Sequence, residues 1–403
     1  MPPILINASN LHVGGGVQVA TSFLAEIATK SAEMSDVEIM VSSEVESNLL
    51  RMGVRSANKF AIQRRDVRGF ALFDWTLKRE MDGFQTVFTV FGPLYRWNTK
   101  FRSIVGFAQA WIIYPDNECY SRMRRFERLK TRLKFWIQAQ FFKRADLLIV
   151  ELEHVRQGLI RELGMPADRI VVIHNSLSEL YRQPKLWEPV PIQSVDRKYL
   201  RLGFLGSNYL HKNTVIFPDI ADVLLRRYGI DSLFFVTFTD AEWEDCTSEF
   251  RAVSVNVGPL SVTQCPPFYK GLDGVVFPSL LESFSVTPLE AMAMEVPLFA
   301  SDRPFNREIC GPHAHYFDPL SAEDAAARIA EVLGPVACFR NALPDAEAMA
   351  ETRCGGVEAD LSNRLRAARE HALSFSSAAE RANRYLALVL GEQGTPNKSR
   401  ADG

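Results

Sequence analysis

The chain has 403 residues, of which 47% are hydrophobic and 23% charged, enough to bury two ordinary cores rather than one large one. Its formal charge of −2 hides an asymmetry: residues 1–180 hold 24 Lys+Arg against 19 Asp+Glu, so the two halves face different partners. The six cysteines (119, 246, 265, 310, 338, 354) show neither C-x-x-C spacing nor a pairing rhythm, which argues against zinc and for thiols in a reducing compartment.

The N-terminus, MPPILINASNLHVGGG, has no basic lead and no long apolar run, so it predicts a first strand rather than an export signal. Charges or prolines interrupt every apolar stretch before about 20 residues, so no membrane span is expected. The expected location is the cytoplasm, with peripheral attachment to the inner face of the cytoplasmic membrane as an option. From here β-rich apolar runs alternate with helical patterns: PILINAS, VQVATSFLAEIATK, VEIMVSS, TVFTVFG, SIVGFA, LLIVEL and IVVIHN. Parallel strands need crossover helices, so the first half reads as an α/β layer with a parallel sheet covered on both faces.

Between SIVGFA and LLIVEL lies YSRMRRFERLKTRLKFWIQAQFFKR, residues 120–144, with nine Lys or Arg and one acid, Glu127. Phe126, Leu129, Leu133, Trp136, Ile137 and Phe141 recur at helical spacing, which predicts a basic amphipathic helix. Two compatible readings follow. The apolar stripe packs on the first sheet, or the basic face, with Arg124, Arg125, Arg128 and Arg132, rests on anionic lipid with help from Arg51, Arg55, Lys59, Arg64, Arg65 and Arg68. Nucleic acid is not expected as a partner, because no binding fold accompanies the charge.

Residues 181–199, YRQPKLWEPVPIQSVDRKY, break the pattern with three prolines and no apolar periodicity, as a connection between domains does. A second α/β series follows: LRLGFLG, SLFFVTFT, VSVNVG, GVVFPS and PLFASD. The expected domains are 1–185, a linker at 186–199, 200–372, a C-terminal helix at 373–391 crossing back to the first domain, and a disordered tail at 392–403.

After GVVFPS comes the loop LLESFSV and then TPLEAMAM, where Thr287 can cap, Pro288 fits the first turn, and Glu290 completes a capping box. Glu290 therefore has a local explanation, a bond back to the Thr287 amide. Glu282 has none. It precedes the helix in an apolar loop at the carboxyl end of a strand, where open α/β sheets place ligands, and an unpaired buried carboxylate is expensive. The free amides around Val286 and Thr287 make an anion site, and carboxylates beside it suit hydroxyl groups, so the pair describes a nucleotide, or better a sugar nucleotide.

FPSLLESFSVTPLEAMAMEVPLFASD resembles the E-x7-E signature of family-4 glycosyltransferases of the GT-B fold, of the bacterial cell-surface glycan type. Further matches lie in order: GGGVQ after the first strand, IVVIHNSLS before the linker, LGFLGSNYLHKN opening the second domain, and YFDP near residue 316. The resemblance spans about residue 4 to residue 391. It implies two Rossmann-like parallel-sheet domains facing a central cleft, with the donor in the C-terminal domain and the acceptor in the N-terminal one.

Carried over residue by residue, the resemblance implies that Glu290 binds the donor ribose, that Glu282 acts at the sugar or its anomeric carbon, and that Lys212 neutralises the diphosphate. Gly206, Ser207, Ser283, Phe284, Ser285, Val286 and Thr287 would line the donor site, while Gly14, Gly15 and Gly16 let backbone amides approach a phosphate or the acceptor. Lys212 also has an ordinary reading as a solvated lysine, and the three glycines one as a simple turn.

The chain departs from the family pattern in three places. Serines 283 and 285 replace the usual glycines around Phe284. Ser207 and Asn208 stand where an Arg usually precedes the Lys, which leaves Lys212 and helix amides for the diphosphate. Gln109 lies in the segment where many relatives carry a histidine. His174 is expected behind the site, and His313 with His315, alternating on a strand, offer too few ligands for a metal.

The implied reaction is retaining transfer, without metal or other cofactor, from a nucleotide-sugar to a glycan or lipid-linked glycan in polysaccharide or lipopolysaccharide assembly. The alternatives are a sugar-nucleotide epimerase or glycan phosphorylase on the same fold, or a non-catalytic membrane-associated scaffold.

Overall fold

The computed structural model describes residues 3–29, 37–54, 61–69, 74–190, 198–341 and 347–391. Arg55, Lys59, residues 191–197 of the expected linker and the tail at 392–403 lie outside the described residues. Contacts divide the chain into two compact units. The first comprises Met1–Pro115, Arg124–Ser176 and Ser376–Gly403, and the second Asp116–Met123 and Leu177–Phe375.

The first unit holds a seven-stranded parallel sheet of β1 (Ile4–Ala8), β2 (Val37–Val41), β3 (Ala61–Arg64), β4 (Thr86–Thr89), β5 (Arg102–Gly106), β6 (Leu147–Val150) and β7 (Ile170–Val172), in the order β3-β2-β1-β4-β5-β6-β7. The second holds six parallel strands, β8 (Leu200–Phe204), β9 (Ser232–Val236), β10 (Ser254–Asn256), β11 (Gly274–Phe277), β12 (Leu298–Ser301) and β13 (His315–Phe317), in the order β10-β9-β8-β11-β12-β13. Runs such as LLIV and GVVF are buried at every position, because helices cover both faces of each sheet. The strand and helix alternation of the sequence thus produces two parallel α/β sheets.

Each sheet reverses its strand order once, between β1 and β4 in the first and between β8 and β11 in the second. Loops at the carboxyl ends of such neighbours diverge and leave a crevice. The C-terminal helix Ala378–Leu390 closes the first core: Tyr385 meets Phe23 and Phe88 edge to face, with centroids 5.2 and 5.3 Å apart. In the second, Phe217 stacks on Phe234 at 4.2 Å.

The basic segment differs from expectation in extent and in packing. Glu118–Arg122 is a short 3-10 helix of the second unit, and the α-helix runs Arg125–Phe142 in the first. Phe141 of the expected stripe is buried, but Phe126, Leu129, Leu133 and Trp136 are exposed. The face that packs carries Phe135, Gln138, Ala139 and Phe142 instead.

Three of the supporting cations have acidic neighbours within the first unit. Arg65 pairs with Asp74 at 3.0 Å and with Glu80, Arg64 lies 3.8 Å from Glu46 and from Asp66, and Arg68 lies 3.7 Å from Glu44. No described helix is long and apolar enough to cross a membrane.

Candidate functional site

The second unit's site is built on adjacent strands. β8 leads through Gly206 into a 3-10 turn at Leu210–Lys212, and β11 leads into the loop 278–286. The Leu280 amide donates to the His211 carbonyl at 2.8 Å, which ties the loops together. Behind them Ser301 Oγ donates to the Ser279 carbonyl at 2.6 Å, and Asn306 Nδ2 donates to the Ser301 carbonyl at 2.9 Å.

Lys212 leaves its turn just before Asn213, which sits at φ +57°, a left-handed conformation that asparagine tolerates. Asn213 is pinned on both sides: its Nδ2 donates to the Pro319 carbonyl at 2.8 Å, and its Oδ1 accepts from Arg122 Nη1 at 2.7 Å. The Lys212 ammonium then meets the Glu282 carboxylate, Nζ to Oε1, at 2.6 Å. Their side chains are 15% and 10% exposed, and the ammonium lies 5.4 Å from the centre of the Phe277 ring. Glu282 is therefore paired within the protein, and Lys212 is not the freely solvated lysine of its ordinary reading.

His211 beside them is pushed below the usual histidine pKa by burial, with the Glu282 charge opposing. The shift favours the neutral imidazole over a second cation in the turn.

Glu290 lies on the helix Thr287–Ala293, with Pro288 in its first turn. The capping box does not form. Val286 is the cap residue and makes no side-chain cap bond, and Glu290 Oε2 accepts from Tyr269 Oη at 2.8 Å. Burial pushes the Glu290 carboxyl above its usual range, and hydrogen bonds from Tyr269 and Tyr181 oppose this. The helix has only seven residues, so its amides around Val286 and Thr287 carry little dipole and Lys212 dominates any attraction for an anion.

The remaining expected donor residues cluster nearby in the chain. Ser283 and Ser285 are buried, and Phe284 faces Phe375 with centroids 6.3 Å apart. Gly206 adopts φ +146°, which glycine alone takes readily, and its amide donates to Thr237 Oγ1 at 3.0 Å. Ser207 hydrogen-bonds Glu242, whose Oε1 also accepts the Asn208 amide at 2.9 Å.

Comparison with known proteins fits this geometry. Residues 254–334, which include Glu282 and Glu290 but not Lys212, match the family described as glycosyl transferases group 1. The O-antigen chain mannosyltransferase RfbU of Salmonella typhimurium is 23% identical over 211 residues, 49% of this chain and 55% of that protein. The chain thus matches about half the length of that relative.

Among solved structures, a glycosyltransferase from Rickettsia africae superimposes with a TM-score of 0.64 at 14% identity, covering 97% of this chain and 98% of that one. Anabaena HepE in complex with UDP and glucose gives 0.62 at 12%, covering 97% and 100%. Sucrose-phosphate synthase from Thermosynechococcus elongatus gives 0.63 at 14%, covering 98% and 100%. The fold is GT-B.

The loops of the first sheet of this GT-B chain hold the remaining expected residues. Gly14 takes φ +70° at the start of the helix Gly15–Ala28, and Gly14 and Gly15 are exposed. Asn10 Nδ2 donates to the Phe91 carbonyl at 2.8 Å, joining the loops after β1 and β4. Gln109, half-buried, is the cap residue of the short helix Ala110–Ile113. His174 Nδ1 lies 2.8 Å from the Glu151 carbonyl oxygen.

Glu151 is buried, and burial pushes it up to about 7, with the Arg381 charge and an Asn175 hydrogen bond opposing. Arg381, itself buried, bonds Asn175 and donates to Ser22 Oγ at 2.9 Å.

The two histidines of HAH do not share a strand face. His313 lies in a 3-10 turn against His371, with centroids 4.9 Å apart, and His315 lies in β13 against Phe299 at 5.4 Å. Sequence reasoning missed Tyr269, Asn213 and Arg122. Only Asn213 left a signal, as a left-handed-tolerant residue directly after the lysine.

Proposed function

We propose that the protein is a retaining, metal-independent glycosyltransferase that takes a sugar from a nucleotide-sugar held by its second unit and passes it to a glycan or lipid-linked glycan in cell-surface polysaccharide assembly. The observation that carries this reading is the nearly buried Lys212–Glu282 pair at the strand-order reversal of the second sheet. Such a pair is desolvated already. An incoming diphosphate can take over the ammonium and leave Glu282 to face the sugar, so the pair holds the site ready for an anion and a hydroxylated ring.

Lys212 stabilises charge on the departing diphosphate, the largest demand of the reaction. Glu290 accepts from the ribose hydroxyls, oriented by Tyr269. Ser283 and Ser285 add donors around the sugar where glycines would add none. The acceptor meets the first unit at the Gly14–Gly16 turn and Gln109, and the leaving diphosphate takes the acceptor proton.

The relative RfbU supports a polysaccharide acceptor, and HepE, solved with UDP and glucose, supports a nucleotide-sugar donor. A panel of UDP- and GDP-sugars tested for thermal stabilisation and slow hydrolysis checks the reading. One donor is expected to raise the melting temperature and to lose its sugar slowly. No response to any nucleotide-sugar, with stabilisation by a bare sugar phosphate, would favour a phosphorylase instead.

A further inference from the structure

The helix Arg125–Phe142 has two apolar faces, and only one of them packs. Phe135 stacks on Trp111 with centroids 5.5 Å apart and planes 4° from parallel. Phe141 lies 5.2 Å from Tyr95 and 4.8 Å from Trp97, Phe142 lies 4.8 Å from Phe107, and Gln138 Nε2 donates to Tyr95 Oη at 3.1 Å. All of these anchors fall between residues 135 and 142. From Arg125 to Lys134 no side chain is buried.

The second face holds Phe126, Leu129, Leu133 and Trp136, which are 80%, 66%, 54% and 62% exposed. At about 100° per residue the four form one narrow stripe, nearly opposite the packed face. Arg125 and Arg132 border one edge of that stripe, and Lys130 and Lys134 border the other. A continuous exposed apolar stripe of this kind marks an interaction surface.

Charge decides the occupant. Residues 124–134 carry six Lys or Arg and one acid, Glu127. Two copies of the chain meeting along the stripe would bring these cations together and repel. An anionic lipid surface suits both features at once: the apolar side chains enter the acyl boundary while the long basic ones reach the headgroup phosphates.

We propose that the Arg125–Lys134 half of this helix, with Trp136, docks the protein on an anionic bilayer, inserting Phe126, Leu129, Leu133 and Trp136. Arg125, Lys130, Arg132 and Lys134 hold the phosphates. The proposal does not depend on the transferase reading; a lipid-linked acceptor follows only where both hold.

The test is sedimentation of the full chain with vesicles of phosphatidylcholine alone or mixed with phosphatidylglycerol, at low and physiological salt. The wild type binds the mixed vesicles, more weakly as salt rises. Replacing Phe126, Leu129, Leu133 and Trp136 by Ser leaves the fold intact, since all four are exposed, and abolishes binding at both salts. Reversing Arg125, Lys130, Arg132 and Lys134 to Glu weakens binding by at least about 100-fold at low salt, as each cation near the surface contributes about fivefold. Nucleotide-sugar binding, read separately, is unchanged in both variants.

Wild-type protein that ignores mixed vesicles at low salt overturns the proposal, as does a serine variant that binds like the wild type. So does a dimer in the ultracentrifuge that the serine variant dissolves while vesicle binding persists, which would assign the stripe to a second copy of the chain.

Discussion

The two sheets handle buried charge differently, though both reverse strand order at a comparable place. In the second unit the Lys212–Glu282 pair is short, Glu282 is 8% exposed and Lys212 is half-buried, which is the access the proposed exchange of partner for ligand requires. In the first unit Glu151 and Arg381 are 5% and 2% exposed, braced by Asn175 and Ser22 under the C-terminal helix. Similar ingredients thus give a candidate site in one unit and a brace in the other. What separates them is access rather than residue type, and substitutions should break the two in different ways.

The largest effect is expected at the brace. Arg381→Ala removes the donor to Asn175 and Ser22 and, above about pH 7, leaves the Glu151 charge uncompensated in the core, where loss of one member of a buried charged network costs about 3–5 kcal/mol. Urea unfolding should show that loss while affinity for the donor, measured on protein still folded, stays near wild type. Lys212→Ala should do the reverse in activity: turnover falls by about 10²–10³, the range for loss of a donor aimed at developing negative charge. The double substitution Lys212→Met with Glu282→Gln should restore stability relative to Lys212→Ala without restoring turnover.

A pH series sharpens the comparison next. The Glu151 carboxyl is raised from 4.5 to about 7, so the stability it contributes is fully present below about pH 4.5 and is lost as pH rises through about 7. The span is on the order of 3 kcal/mol. Glu151→Gln should flatten the stability profile across that window when unfolding is measured at intervals from pH 5 to 8. A slope as steep as the wild type's would place the titration on another group.

The smallest expected effects are at Glu290. Glu290→Gln should weaken donor binding about tenfold, and Tyr269→Phe should cost about 1 kcal/mol, the ordinary worth of one hydrogen bond. Glu282→Ala should lower turnover more than donor affinity. Calorimetry and initial rates separate these outcomes. A harmless Glu290→Gln in folded protein would leave that carboxylate as a partner of the tyrosines Tyr269 and Tyr181 only.

The strands were legible in the sequence because parallel strands covered on both faces are apolar throughout, and runs like LLIV and GVVF announce themselves. The start of the helix at Thr287–Ala293 was legible through Pro288. Its cap was not, because Glu290 is claimed by Tyr269, 21 residues earlier and outside any local pattern.

The pairing of Lys212 with Glu282 bridges 70 residues and follows from β8 lying beside β11, an adjacency that periodicity does not encode. The basic helix illustrates the same limit. Its period was plain, but a helix with two apolar faces does not say which of them will pack.

The central claim, that Lys212 answers to a diphosphate, is tested most directly by calorimetric titration of wild type and Lys212→Ala with nucleoside, nucleoside diphosphate and nucleotide-sugar. Lys212→Ala should bind the nucleoside as the wild type does and lose about 10- to 100-fold for the two diphosphate ligands, the worth of a charge-assisted hydrogen bond. Equal losses for all three ligands, or none, would mean that the ammonium serves only Glu282.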